Sequence, residues 1–208
     1  MATETVATQI SFSTDNIDKK RRLLLIGGAS VVGGAGVVAI AIPFVSSMSP
    51  SAKARAAGAP VEVDISKLAP GQMLIAEWRG KPVWVVRRTQ ETLDALEQNA
   101  DRLRDPDSAV AQQPQYAQNV HRSIKPEYLV MIGICTHLGC SPTYRPELAP
   151  GDLGADWNGG FFCPCHGSKF DFSGRVYKGV PAPTNLEVPP HAYLSDARLI
   201  IGEEGGAA

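Results

Sequence analysis

The chain has 208 residues, enough for one domain of ordinary size together with an additional segment. Its formal net charge of −1 excludes the broad basic surface of a nucleic-acid-binding protein. Four cysteines are too few for a disulfide scaffold, whereas 20 Gly and 16 Pro beside 44% hydrophobic residues indicate a loop-rich globular protein.

An uncharged segment near the N-terminus predicts a membrane anchor. The residues from Leu23 to Val45 carry no charge, and a helix of this length spans about 34 Å, enough for a hydrocarbon core of about 30 Å. Four basic residues, Lys19 to Arg22, precede it. The positive-inside rule then makes residues 1–22 a cytoplasmic tail and places the C-terminal part across the inner membrane, on the periplasmic side.

Two other features of the same region concern export: a candidate signal-peptide cleavage site, which is the alternative to an anchor, and a twin-arginine pattern. Ala52-Lys53-Ala54 resembles a signal-peptidase site, but the apolar run is longer than the roughly 7–15 residues of a cleaved signal sequence. Arg21-Arg22 followed by three leucines resembles a twin-arginine export signal. Such a signal suits a head that folds around a cofactor before export.

The remainder predicts a tether and a β-rich head. Residues 46–60 are small and punctuated by proline, which indicates a flexible tether, and the head occupies residues 61–208. A helix is predicted after a cap at Thr89. The strand-like segments are "VEVDIS", "QMLIAEW", "KPVWVVRRT", "EYLVMIGI", "GRVYKG", "NLEVPP", "HAYLS" and "ARLIIG". Short strands between Gly/Pro turns predict an all-β head with one short helix.

Two short motifs, "CTHLGC" and "CPCHGS", hold all four cysteines and two of the four histidines. Their six ligand-type residues are Cys135, His137, Cys140, Cys163, Cys165 and His166. Three interpretations are open: a Cys₂His₂ zinc site with a leftover pair, a [2Fe–2S] cluster with two cysteines on one iron and two histidines on the other, or plain disulfides. The cluster accounts best for the leftover cysteines, because a bridge between the loops would brace a site near the surface.

The motifs resemble the cluster-binding loops of Rieske iron–sulfur proteins of the cytochrome bc1 type. The resemblance extends through "LRDPDS", "RSIKPEYLVMIGICTHLGC", "GGFFCPCHGSKFD" and "GVPAPTNLEVPP", from about residue 15 to 202. It implies an antiparallel β-sandwich head of Rieske type, with a small cluster-binding subdomain over about residues 130–185. The expected cofactor is one [2Fe–2S] cluster.

The resemblance also implies roles for single residues. Cys135 and Cys163 would ligate the inner iron, His137 and His166 the outer one, and Cys140 and Cys165 would form a disulfide. Ser168 would donate a hydrogen bond to a cluster sulfur. Gly179, Pro181 and Pro183 belong to the segment that resembles the loop covering the cluster.

The sequence departs from the family in two places. Phe170 stands where many respiratory members have a tyrosine whose hydroxyl bonds a ligand sulfur, so the midpoint potential should be lower than theirs. The segment between His137 and Cys163 is longer than in compact members, and its polar, Pro/Gly-rich composition predicts a surface excursion. His121 and His191 are predicted to be surface residues without a role.

The function that the resemblance implies is electron transfer in a proton-translocating quinol–cytochrome c oxidoreductase. The head would take an electron and a proton from ubiquinol at the quinol-oxidation site of cytochrome b, with His166 facing the quinol and His137 beside it. It would pass the electron to cytochrome c1, within a dimeric complex. The alternatives are a Rieske subunit of another exported oxidoreductase, of the arsenite-oxidase type, and a structural zinc module.

Overall fold

The computed structural model describes residues 18–97 and 100–203 and divides the chain into two compact units after Ser51. The first unit contains helix α1, Lys19–Ser47. The Asp18 side chain caps it by accepting hydrogen bonds from the Lys20 and Arg21 backbone N–H groups. Beyond the basic first turn, its side chains are mostly apolar on every face and exposed, which is typical of a helix that lies in lipid.

The membrane anchor predicted over 23–45 falls inside this helix. Among the residues that the structure describes, one helical stretch, Lys19–Ala56, is long and apolar enough to cross a membrane. Helix α1 has 29 residues and is about 43 Å long, so its basic first turn can extend beyond the hydrocarbon. The segment that follows contains a short helix α2, Ala52–Ala57.

The described residues of the second unit form three antiparallel sheets of three strands each. The strands are β1 (Val61–Asp64), β2 (Met73–Trp78), β3 (Lys81–Arg87), β4 (Tyr128–Ile132), β5 (Thr143–Arg145), β6 (Gly160–Cys163), β7 (Ser168–Phe170), β8 (His191–Ser195) and β9 (Arg198–Ile201). They pair in the orders β1-β9-β8, β2-β3-β4 and β5-β6-β7. Helix α3, Gln90–Glu97, begins after Thr89, whose hydroxyl accepts from the Thr92 N–H, as predicted. The β-rich class with one short head helix is confirmed.

The sheet β2-β3-β4 lies between two hydrophobic cores. Val83 and Val85 face a core shared with β1 and β9, whereas Trp84 and Val86 face a second core that contains Cys135 and Cys163. Strand β4 alternates in the same way. Burial on both faces explains why these strands are continuous apolar runs in the sequence. Both of these cysteines are therefore packed into the second core.

Two predicted strands are wrong. "GRVYKG" forms only isolated bridges, from Val176 to Phe170 and from Tyr177 to Leu103. The backbone N–H of Val176 donates to the side chain of Asn185 and not to a neighbouring strand. "NLEVPP" runs beside β4, where the Ile132 N–H donates to Glu187, but its two prolines lack the donors that a ladder needs.

The predicted surface excursion between His137 and Cys163 is partly packed. It contributes strand β5, and Leu153 and Trp157 are buried in a small core with Leu103 and Tyr177. Around Leu148 the segment is exposed, as predicted. Two large apolar side chains in a polar segment were the signal for this packing.

The predicted exposure of His191 is also wrong, because its side chain is 1% exposed. Nδ1 bonds the Pro189 carbonyl at 2.9 Å, and Nε2 has no partner among the described residues. Burial lowers the pKa of His191, although the bond to Pro189 opposes this. His121 is half-buried, and burial followed by the charge of Arg88 lowers its pKa as well.

The buried His191 should make the head less stable in acid. The folded state keeps the imidazole neutral, whereas the unfolded state takes up a proton below about pH 6.5. The free energy of unfolding should therefore fall by up to about 1.4 kcal/mol per pH unit below that pH. Urea titrations between pH 7.5 and 5 should show a shallower slope for His191→Asn, whose amide can still bond Pro189. Equal slopes in both proteins would contradict the prediction.

Candidate metal centre

The first motif is a tight loop at the end of β4. Gly133 leaves the strand where a Cβ atom would overlap the Trp84 ring, so no larger residue fits there without displacing the indole. The Cys135 N–H donates to the Cys140 carbonyl at 2.7 Å, and the Gly139 N–H donates to the Cys135 carbonyl at 3.0 Å. Gly139 has φ +85°, which favours glycine. These bonds close the loop around His137.

The second motif is the hairpin turn between β6 and β7. Cys163 and Ser168 are opposite each other in the ladder, and the Gly167 N–H donates to the Cys163 carbonyl at 2.9 Å. Cys165 and His166 occupy the turn between them and are exposed. The hairpin therefore places one cysteine in the core and a cysteine and a histidine on the surface.

The two loops bring the predicted ligands together. Cys135 and Cys163 are both 2% exposed, and their thiols are in hydrogen-bonding contact. His137 is half-buried and His166 is exposed, and their imidazole rings are perpendicular to each other, with centroids 4.7 Å apart. Two thiols thus face the core and two imidazoles face outward.

A disulfide joins the loops. It links Cys140 and Cys165, whose Cα atoms are 6.7 Å apart, and it matches the pairing implied by the family resemblance. The sulfur of Cys163 lies within 4.8 Å of both bridged sulfurs. These three sulfurs do not form a metal site of their own, because bridged cysteines offer no thiolate. Cys135 and Cys163 remain as free thiols.

The surroundings of Cys135 suit a ligand that loses its proton on metal binding. Burial raises the pKa of its thiol, and the neighbouring Cys163 adds to this. Hydrogen bonds from the His137 backbone N–H and the Ser168 hydroxyl act in the opposite direction, because they stabilise the thiolate. Positive metal charge would complete that stabilisation.

The loop of Gly179, Pro181 and Pro183 packs against the core that contains Cys135 and Cys163, and it is fastened by contacts that the sequence did not reveal. The Ser168 hydroxyl oxygen accepts from the Ala182 N–H at 3.0 Å, so one side chain connects this loop to Cys135. Two more side chains hold this loop. Thr136 donates to the Thr184 carbonyl at 2.8 Å, and Arg104 donates to the Val180 and Pro183 carbonyls. Their partners lie 48 to 79 residues away, so local spacing gives no signal for them.

The donor set fits a two-iron cluster with mixed ligands. A single tetrahedral zinc ion would draw four ligands to one point. Here the sulfur pair and the imidazole pair are segregated by burial, as two metal ions with separate ligand pairs require. Four side chains could hold such a group: Cys135, His137, Cys163 and His166.

Comparisons with known proteins agree with this geometry. The profile of the Rieske [2Fe-2S] domain matches residues 60–190, and that of the "Ubiquitinol-cytochrome C reductase Fe-S subunit TAT signal" matches residues 13–51. The chain is 62% identical to the ubiquinol-cytochrome c reductase iron-sulfur subunit of Allochromatium vinosum over 94% of this chain and 95% of that protein. It is 43% identical to the subunit of the same name from Blastochloris viridis, over 91% and 97% of the two chains.

A solved structure of a hyperthermophilic respiratory Complex III contains a chain with 28% identity and a TM-score of 0.46. The match covers 85% of this chain and 97% of that one.

Proposed function

Because the chain belongs to the Rieske [2Fe-2S] domain family, among the iron–sulfur subunits of ubiquinol–cytochrome c reductase, we propose that it takes an electron and a proton from ubiquinol and passes the electron to cytochrome c1. The observation that carries this is the arrangement of two buried thiols beneath two outward-facing imidazoles. The quinol would be oxidised at the quinol-oxidation site of cytochrome b, in a dimeric complex.

Burial supports the proposed ligand assignment. Cys135 and Cys163 would hold one iron from the interior, and His137 and His166 would hold the other at the surface. When bound, a cluster with this ligand set accepts one electron at about −150 to +300 mV. That range is accessible to a quinol, whereas all-cysteine clusters near −400 mV are poor oxidants.

The two outer imidazoles would let the head accept a proton as well. A ligand histidine keeps one ring nitrogen away from the metal, and this nitrogen can bond a quinol hydroxyl and take its proton. His166 is more exposed than His137, so we assign it to the quinol. The disulfide and the Gly179–Pro183 loop would keep bulk water from the remaining sides.

The tether would let the head move between its two partners. The predicted tether, residues 46–60, contains the last two residues of α1 and the six-residue helix α2. A helix this short is marginal in water, so it can melt and reform at low cost. A variant with proline in place of Ala56 and Ala57 would have a stiffer tether, and its α2 would be broken.

The proposed function is tested by comparing ubiquinol and arsenite as electron donors for cytochrome c reduction in membranes with and without this chain. Removal of this chain should abolish cytochrome c reduction by a ubiquinol analogue, and the wild-type gene product should restore it. Restoration of arsenite-dependent reduction instead would indicate an enzyme of the arsenite-oxidase type. We expect the head to face the periplasm, so added protease should reach it in spheroplasts and not in inverted vesicles.

Phe170→Tyr should raise the midpoint potential. Phe170 is fully buried in the core that contains Cys135 and Cys163, so a tyrosine there can place its hydroxyl beside a ligand sulfur. Such a bond stabilises the additional negative charge of the reduced state, by about 1 kcal/mol or about 40 mV. Redox titration measures the shift, with Phe172→Tyr, outside that core, as the control. An unchanged or lowered potential would count against this role.

A further inference from the structure

A pocket of about 510 Å³ opens beside the candidate metal centre. Gly167, the residue after His166, forms part of its wall, and Gly179 of the covering loop forms another part. Three cationic side chains, Arg102, Lys169 and Lys178, line the rest together with Tyr177 and Val180. The pocket therefore adjoins both the turn that carries His166 and the Gly179–Pro183 loop.

The positive charge of this pocket is held in place without being neutralised. Arg102 donates to the Asp156 carbonyl at 2.7 Å, Lys169 to the Leu153 carbonyl at 3.1 Å and Lys178 to the Asp101 carbonyl at 2.8 Å. Within residues 18–97 and 100–203, none of the three has a carboxylate oxygen within 4.0 Å. A carbonyl fixes a cation but leaves its net charge free to attract an anion.

Aromatic rings support these cations. The Arg102 guanidinium lies 5.3 Å from the centre of the Tyr177 ring, and the Lys169 ammonium lies 5.9 Å from that of Trp157. Tyr177 is 5% exposed, and its hydroxyl has no hydrogen-bond partner among the described residues. Burial, followed by the charge of Asp171, raises the pKa of Tyr177 to about 12, so the hydroxyl remains a donor.

We propose that this pocket receives a carboxylate from an acidic protein surface on the electron acceptor, and so docks the acceptor against the exposed imidazoles. This inference rests on the proposed function. It adds the contact, between the cationic pocket and an acidic surface, by which the electron acceptor would be recognised. A quinol carries no charge at neutral pH and does not match three cations. An acidic protein does, and charge complementarity beside the redox centre raises the rate of productive encounter.

The test uses the full-length, cluster-loaded subunit in detergent, mixed in a stopped-flow instrument with purified oxidised cytochrome c1. The variant Lys169→Gln/Lys178→Gln removes two of the cations. Arg198→Gln is the control, because Arg198 is an exposed cation paired with Glu62 on β1. Redox titration of each protein corrects the rates for any difference in driving force, and its EPR signal confirms that the centre is intact.

For the wild type, we expect the rate of cytochrome c1 reduction to fall as ionic strength rises. The double variant should be about tenfold slower at low ionic strength and equal to the wild type at high ionic strength. Arg198→Gln should behave as the wild type. Reduction of all three proteins by an uncharged hydroquinone should be equally fast.

Three outcomes would overturn the proposal. If the double variant transfers electrons as fast as the wild type, the pocket does not dock the acceptor, and the proposed function stands. If the variant keeps its rate but loses binding to phosphatidylglycerol vesicles, the pocket binds lipid phosphate. If the wild type does not reduce cytochrome c1 at all, both this inference and the proposed function fail.

Discussion

We expect Cys163→Ser to lose the cluster and, with it, cytochrome c reduction by quinol. Cys163 is 2% exposed and its thiol contacts that of Cys135. Serine is a weak metal ligand, and at this buried position water cannot take the place of the lost thiolate. Loss of a hydrogen-bond partner of a metal ligand typically lowers metal affinity or activity about 10–100-fold. Loss of the ligand itself should therefore reduce activity by more than about a hundredfold. Iron and acid-labile sulfide analysis of the purified subunit measures the cluster directly.

The other two cysteines provide a matched comparison. Cys140→Ala/Cys165→Ala removes the disulfide, whose half-cystines are 25 residues apart, and leaves both buried thiols. Closing a loop of this length contributes about 3.5 kcal/mol, so the double variant should keep iron when purified cold but unfold at lower temperature. If the double variant lost its iron while Cys163→Ser retained it, the ligand assignment would be wrong.

We expect Asp171→Asn to lower the free energy of unfolding by about 3–5 kcal/mol. Asp171 and Arg175 are each 1% exposed and form an ion pair at 2.7 Å. Among the described residues, Asp171 is the one buried carboxylate, beside three buried guanidinium groups, Arg88, Arg122 and Arg175. Asparagine can still accept from the Ser173 and Arg175 backbone N–H groups, so the change removes mainly the charge.

Tryptophan fluorescence during urea unfolding measures this loss for the head alone, because Trp78, Trp84 and Trp157 all lie there. Asp152→Asn is the control, since the Asp152 side chain is 60% exposed in its ion pair with Arg145. We expect little change from it. An equally small effect of Asp171→Asn would contradict the assigned role of the buried pair.

The sequence predicts the anchor, most strands and the metal-binding loops because each is a local pattern. An apolar run of spanning length, the two-faced burial of β3 and β4, and the ligand spacing around Cys135 and Cys163 are all visible within a few residues. The pairing of Cys140 with Cys165 is different. Spacing leaves it open, and only the resemblance to a family implies it.

What the sequence could not show depends on contacts between distant residues. The backbone of His191 bonds the Tyr116 hydroxyl, 75 residues away, and no feature of "PPHAYLS" reveals that contact or the burial of the side chain. The guanidinium of Arg175 reaches Leu96, 79 residues away. The three cations of the pocket lie on separate segments, and only folding gathers them beside the covering loop.

The central claim is that this head carries a His/Cys-ligated [2Fe–2S] centre that works at a quinol site. Low-temperature EPR on membranes reduced with ascorbate tests it most directly. We predict a rhombic spin-half signal with an average g below the free-electron value, and a change in its shape when a quinol-site inhibitor is added. The absence of such a signal from iron-replete membranes that contain the protein would contradict the claim.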